Sequence, residues 1–154
     1  MYAIIDQRAP LKVKKNLEKY TQDIFEFSSD AITYNSIAGH PDIFMFQDAN
    51  KIIMAPNSPK EFIHFLDEKT VDYSFGIHPA GKTLDTSVLY NCLSTQNYFF
   101  CKKGKPDLSI EKWCSLKELV NIPQSYARCS MFAIENNIIT SDKGIVKVLE
   151  KSEI

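Results

Sequence analysis

The chain has 154 residues, 44% of them hydrophobic and 12% aromatic, with 10 Phe and 7 Tyr; this fits one α/β domain over residues 1–154 and excludes a disordered chain, because so much apolar surface offsets the entropy of ordering. With 18 Lys and Arg against 19 Asp and Glu, the formal charge of -1 sets up no global field, so neither nucleic acid nor a membrane surface is expected as a partner. Met1-Tyr2-Ala3-Ile4-Ile5-Asp6 meets a charge after too short an apolar run for a signal-peptide core or a membrane span, and a cytoplasmic location is expected.

Tyr2 to Ile5 is an apolar run suited to a buried strand. Pro10 then opens a basic amphipathic stretch through Leu11, Lys14, Lys15 and Leu17 that predicts a helix. Ile24 to Phe27 resumes extended alternation before the turn chemistry of Ser28-Ser29-Asp30. The first unit therefore reads β-α-β. Asp42 to Phe46 and Ile52 to Ala55 flank the polar connector from Gln47 to Lys51 and predict a hairpin. Ser58-Pro59-Lys60-Glu61 places Ser to cap a helix, Pro at its first position and Glu three residues after the cap. Phe62, Phe65 and Leu66 continue at helical spacing, and Val71 to Phe75 alternates as a strand does. The second unit reads β-β-α-β.

Ser87 to Asn91 and Tyr98 to Cys101 are two further extended runs. The polar stretch from Lys102 to Lys112, with Gly104 and Pro106, predicts a surface loop, and Ser115 to Val120 a short capped helix ending before Pro123. Met131 to Ile134 and Ile138 to Thr140 flank Glu135-Asn136-Asn137 as a tight turn, and Ser141-Asp142 leads into a helix over Ile145 to Leu149. The segments 43–57 and 131–142 share a hairpin, an Ile-Ile pair and a polar cap before a helix. Together with 87–120 they give hairpins about every 45 residues, a period found in propellers and other repeat architectures, and about three and a half units in all.

Two short segments carry candidate chemistry. His40-Pro41-Asp42, preceded by Gly39, sets an imidazole and a carboxylate at i and i+2, where at the mouth of a strand both face one side as an oriented general base requires. The alternative is that both serve local backbone groups. Arg128-Cys129-Ser130 stands just before the last hairpin, the position in its unit that His40 and Asp42 hold in theirs. Arg128 beside the thiol favours a nucleophilic thiolate on Cys129, against the alternative of a packing thiol. Cys92, Cys101, Cys114 and Cys129 are separated by 9, 13 and 15 positions with no Cys-x-x-Cys pair, which predicts buried free thiols and no metal or redox centre. His64, inside a helix, and His78, beside Pro79, read as structural or exposed. Ser141-Asp142-Lys143-Gly144 has the look of a helix N-terminus that can hold an anion, but it is too short to be specific. No phosphate-binding glycine loop, dinucleotide fingerprint or nucleophile elbow is present in the sequence, so no nucleotide cofactor is expected.

The hairpin-helix-strand repeat, His40-Pro41-Asp42-Ile43 and Arg128-Cys129-Ser130-Met131 together resemble the pentein, or guanidino-group-modifying, superfamily, in one of its uncharacterised branches. The stretch from Tyr126 to Gly144 carries most of the likeness. The resemblance implies repeated ββαβ units around a pseudo-five-fold axis, here a partial β/α-propeller, because about three and a half units do not close a five-bladed ring. It implies Cys129 as nucleophile toward a guanidinium carbon, His40 as base and Asp42 as guanidinium partner, with a small guanidino-type ligand and no metal or organic cofactor. No second guanidinium-binding carboxylate is assignable. The missing repeat material favours a non-catalytic small-molecule or protein-binding module; the alternative is a Cys-dependent hydrolase or transferase acting on a guanidino group. A shortened ring leaves an open sheet edge, through which self-association is expected.

Overall fold

In the computed structural model, which describes residues 1–29, 31–49, 51–134, 137–152 and 154, the apolar runs pair into four small sheets along the chain. β1 (Tyr2–Asp6) and β2 (Asp23–Phe27) are parallel and joined through α1 (Leu11–Leu17); a parallel pair needs such a crossover, since a tight turn returns the chain antiparallel. β3 (Met45–Asp48) and β4 (Lys51–Met54) form an antiparallel hairpin. The chain then crosses through α2 (Lys60–Glu68) to β5 (Ser74–Phe75), parallel to β4. After α3 (Leu84–Ser87) the same wiring recurs: β6 (Leu93–Ser94) is antiparallel to β7 (Tyr98–Cys101), and α4 (Leu108–Trp113) leads to β8 (Glu118–Asn121), parallel to β7. The short α5 (Ala127–Ser130) precedes the hairpin of β9 (Met131–Ile134) and β10 (Asn137–Thr140), and α6 (Lys143–Lys151) follows. Among the described residues the protein is thus mixed α/β, with several small sheets and six α-helices.

Burial follows the helical and strand periods. On α2, Phe62 and Leu66 are buried, and the Phe62 ring packs 5.5 Å from Phe25 and 5.1 Å, edge-on, from Phe27 of β2. Truncating such a residue to Ala costs about 3–5 kcal/mol. A second cluster joins Leu93, Phe100, Val120, Met131 and Ile145. β7 serves both clusters, because alternate strand residues face opposite sides: Phe99 and Cys101 belong to the first and Phe100 to the second. The leading strands of the hairpins are neighbours, β3 against β6 and β6 against β9. At the far ends of β3 and β6, Lys117 Nζ donates to Asp48 Oδ2 and Ser94 Oγ, both at 2.7 Å, and to the Thr95 carbonyl at 2.6 Å. Burial would raise the Asp48 carboxyl, but hydrogen bonds from Lys117 and Trp113 outweigh it and hold the group below its ordinary value.

The third unit departs from the sequence reading. Ser87 to Asn91 is not a strand: Thr83 and Thr86 form a reciprocal capping box that starts α3, and extended structure begins only at Leu93. The stretch from Lys102 to Lys112 is not all loop, because the Asp107 carboxylate accepts from Ser109 N–H at 3.0 Å and starts α4, whose Ile110 is buried. Ser115 to Val120 is a turn running into β8, drawn into extended structure where Leu119 and Val120 pair with Phe99 and Phe100. Asp42 lies in a 3-10 turn, Pro41–Ile43, and β3 starts at Met45. Ser58 does not cap α2; its hydroxyl donates to the Ala55 carbonyl at 2.8 Å. The turn expected at Glu135 and Asn136, and Asp30 and Asn50 of the earlier connectors, lie outside the described residues. No helix among the described residues is long and apolar enough to cross a membrane.

Candidate functional site

Segments that precede three of the hairpins meet at one end of the leading strands. The first is 39–42, held against the end of β1. Gly39 permits this approach, since a Cβ there would overlap the Asp6 carboxylate. That carboxylate is pinned by Arg8, Nη2 to Oδ2 at 2.6 Å and Nε to Oδ1 at 2.9 Å, and the Arg8 hydrogen bond holds it down at about 2 despite partial burial. His40 follows in extended conformation, and the 3-10 turn then carries Asp42 toward β3. The second segment brings buried Asn91 to a point two residues before β6, and the third brings Cys129 two residues before β9.

The side chains of these segments touch. Cys129 Sγ donates to Asp42 Oδ2 at 2.9 Å and lies 3.6 Å from His40 Nδ1. His40 Nδ1 is 4.0 Å from Asp42 Oδ1. Asn91 Nδ2 donates to Asp42 Oδ2 at 2.9 Å and to Cys129 Sγ at 3.1 Å. Cys92, Cys101 and Cys114 are buried, as expected of packing thiols, whereas Cys129 is exposed. It opens on a cleft of about 520 Å³ whose lining includes Tyr2, Ile4, Met45, Gln47 and Arg128, a volume suited to a small ligand. Arg128 makes no side-chain hydrogen bond or ion pair among the described residues.

Although Cys129 faces the cleft, the surrounding walls withdraw bulk water from its sulfur, and this partial burial pushes the thiol up to about 12. The Asp42 charge and its hydrogen bond add to the rise, while Asn91 and Arg128 act in the opposite sense. Tyr126, three residues before Cys129, is braced by Ser87 Oγ at 2.8 Å and by Tyr34 at 2.6 Å between hydroxyls; burial, partly offset by Ser87, pushes it up to about 12. These hydroxyls fasten the segment around Tyr34 beside the site.

Other sequence candidates lie elsewhere. His64 is exposed on α2, 3.3 Å from Glu68. His78 Nδ1 is 2.9 Å from the fully buried Asp107 carboxylate, which also accepts from the backbone N–H groups of Ile77 and His78. Asp142 caps α6 through Gly144 N–H and Ile145 N–H, so its carboxylate already takes the N–H groups that an anion would need. His40, Asp42 and Cys129 offer ligand atoms within 4.8 Å of one another, a nitrogen, oxygen and sulfur set of the kind zinc accepts. Asn91 aims its N–H at two of those three atoms, and a cation there would contest that position.

The sequence reading missed Asn91. Its register was the available signal, since it precedes the leading strand of its hairpin by the same two residues as Cys129 does. No curated protein matches the chain. Residues 4–154 match the model described as Family of unknown function (DUF6873), and the chain belongs to that family.

Proposed function

We propose that this member of a family of unknown function is a cysteine-dependent enzyme, a hydrolase or transferase, acting on a cationic guanidino group. The observation that carries the reading is the Cys129 thiol within 2.9 Å of Asp42 and 3.6 Å of His40, facing an open cleft. Asp42 supplies the negative charge that receives guanidinium N–H groups. A cation docked there takes up the carboxylate that now accepts the thiol proton and places positive charge beside the sulfur, so the thiolate is favoured when substrate is present. His40 takes the proton, the sulfur adds to the guanidinium carbon, and a C–N bond breaks as the amine leaves with a proton from His40. Water or an amine then attacks the resulting thiouronium carbon, and the C–S bond breaks to return the thiol.

The wiring supports a partial, pentein-like β/α-propeller. β1–α1–β2 is a unit without its leading strand, the two central sheets are complete ββαβ units, and β9–β10–α6 is a unit without its final strand. Three leading strands in succession are neighbours, as blades around one axis would place them. The outer edge of β10 has no paired strand among the described residues, and Phe132, Ile134 and Ile139 of that hairpin are exposed, which favours self-association there.

The partial burial of the sulfur favours a second reading, a non-catalytic binding module: it pushes the Cys129 thiol up to about 12, so little thiolate forms without a ligand. Incubation with arginine, agmatine, guanidinoacetate and free guanidinium, with mass spectrometry of the protein and assays for ammonia and ureido products, separates the two. Turnover, or a covalent adduct on Cys129, lost in Cys129→Ser supports the enzyme. Saturable binding without adduct or product supports the module, and absence of both binding and turnover removes the guanidino ligand.

A further inference from the structure

Asn91 is 1% exposed, and both ends of its amide are committed. Its backbone carbonyl accepts from Ala127 N–H at 3.1 Å, and its Oδ1 accepts from Arg128 N–H at 2.9 Å and Cys129 N–H at 3.3 Å. Those are the first N–H groups of α5, which a helix leaves without internal partners. Tyr126, at the capping position, provides no side-chain acceptor for them. Asn91 therefore caps α5 from a different unit of the fold. The same contacts fix the orientation of the amide, because two N–H donors require the oxygen to face them. The nitrogen then points to the opposite side, onto Cys129 Sγ and Asp42 Oδ2.

This polarity decides what Asn91 can do. An NH₂ group accepts nothing from a guanidinium, so Asn91 does not replace a second substrate-binding carboxylate. It is a donor aimed at the atom that becomes negative when the thiol ionises, and hydrogen bonds to charged acceptors are stronger than those to neutral ones. We propose that Asn91 is a catalytic residue of this site, its Nδ2–H stabilising the Cys129 thiolate while its oxygen anchors the helical turn that holds the sulfur in the cleft. The NH₂ group carries two donors, one for Asp42 Oδ2 and one for Cys129 Sγ, so the bond to sulfur persists when a cation occupies Asp42, and Asn91 and the ligand then stabilise the same charge.

The inference rests on the nucleophilic role proposed for Cys129, but its test needs no substrate, so failure of either idea is seen separately. In the Asp42→Asn background, which removes the Asp42 charge and acceptor from the thiol, the dependence of Cys129 alkylation by iodoacetamide on alkaline pH is compared with and without Asn91→Ala. Loss of the donor raises the alkylation midpoint by about one pH unit, about tenfold in thiolate fraction at fixed pH. An anchor without the donor function lowers stability but leaves the midpoint in place, and that result overturns the proposal. Should Asn91→Ala fail to fold, the side-chain amide resonances of Asn91 in the Asp42→Asn protein settle the matter. They shift with the Cys129 titration and lose that shift in the added Cys129→Ser variant; resonances that ignore the titration overturn the proposal.

Discussion

Asp42→Asn should make Cys129 more reactive, although a residue beside a nucleophile is usually assumed to assist it. The carboxylate accepts from Sγ at 2.9 Å, and its charge and hydrogen bond follow burial among the causes that push the thiol from 9.0 up to about 12. Two unit charges at 2.9 Å interact by about 1.4 kcal/mol when screened as in bulk water. That fully screened figure is the lower limit of the effect, because Cys129 opens on the cleft while the surrounding walls withdraw part of the water from its sulfur. It corresponds to about tenfold more thiolate at fixed pH. Nucleophilicity falls as a thiol becomes more acidic, with a Brønsted slope of about 0.4–0.5, so the observed alkylation rate should rise by about three- to fourfold or more. The assay is pseudo-first-order reaction with iodoacetamide at mildly alkaline pH, with peptide mapping of the modified cysteine. Cys92, Cys101 and Cys114 are buried and serve as internal references that react only on unfolding. An unchanged or slower rate at Cys129, with the references still protected, would refute this account of the thiol.

Gly39→Ala should push the pinned Asp6 carboxylate out of its position, costing about 1–3 kcal/mol and displacing His40; thermal unfolding and alkylation rate together check this, and unchanged values of both would count against it. Asp107, held at about 2 by hydrogen bonds that overcome its burial, stabilises the fold at pH above the ordinary carboxylate value, and this contribution drains away as pH falls toward about 2. Urea titrations across that range should show the acid-side loss of stability flattened in Asp107→Asn, which at neutral pH should be less stable by about 2–3 kcal/mol. Light scattering should show association that increases with protein concentration and is abolished by Ile139→Lys on the exposed hairpin face; a monomer at every concentration removes the open-edge argument.

Local patterns that reflect local physics were legible in the sequence. The 3.6 period of Phe62, Phe65 and Leu66 and the polar connectors between apolar runs lead to α2 and the hairpins. His40, Asp42 and Cys129 stood out because their side chains carry reactive groups at matching points of a repeat. What was hidden depends on distant partners. Val88 and Tyr90 are both buried and so look like alternating strand residues, yet the Thr83–Thr86 capping box had already turned the chain into α3. The same misplacement shifted the third hairpin and concealed Asn91, an uncharged residue whose importance lies in which N–H groups it meets. α4 and β8 were exchanged for a loop and a helix because the pairing of Leu119 with Phe99 is a tertiary contact that outweighs local preference.

Asp42, Asn91 and Cys129 come from three separate units, and none of the three units holds more than part of the chemistry. The reactivity proposed for Cys129 is therefore a property of the seams between these units. A fluctuation that parts β6 from β9, too small to expose either core, would free the α5 turn from its cap and disable the thiol while most of the molecule stayed folded. Alkylation kinetics at this single sulfur would then report the opening of those seams, so the site would serve as a built-in strain gauge for the assembly of the units.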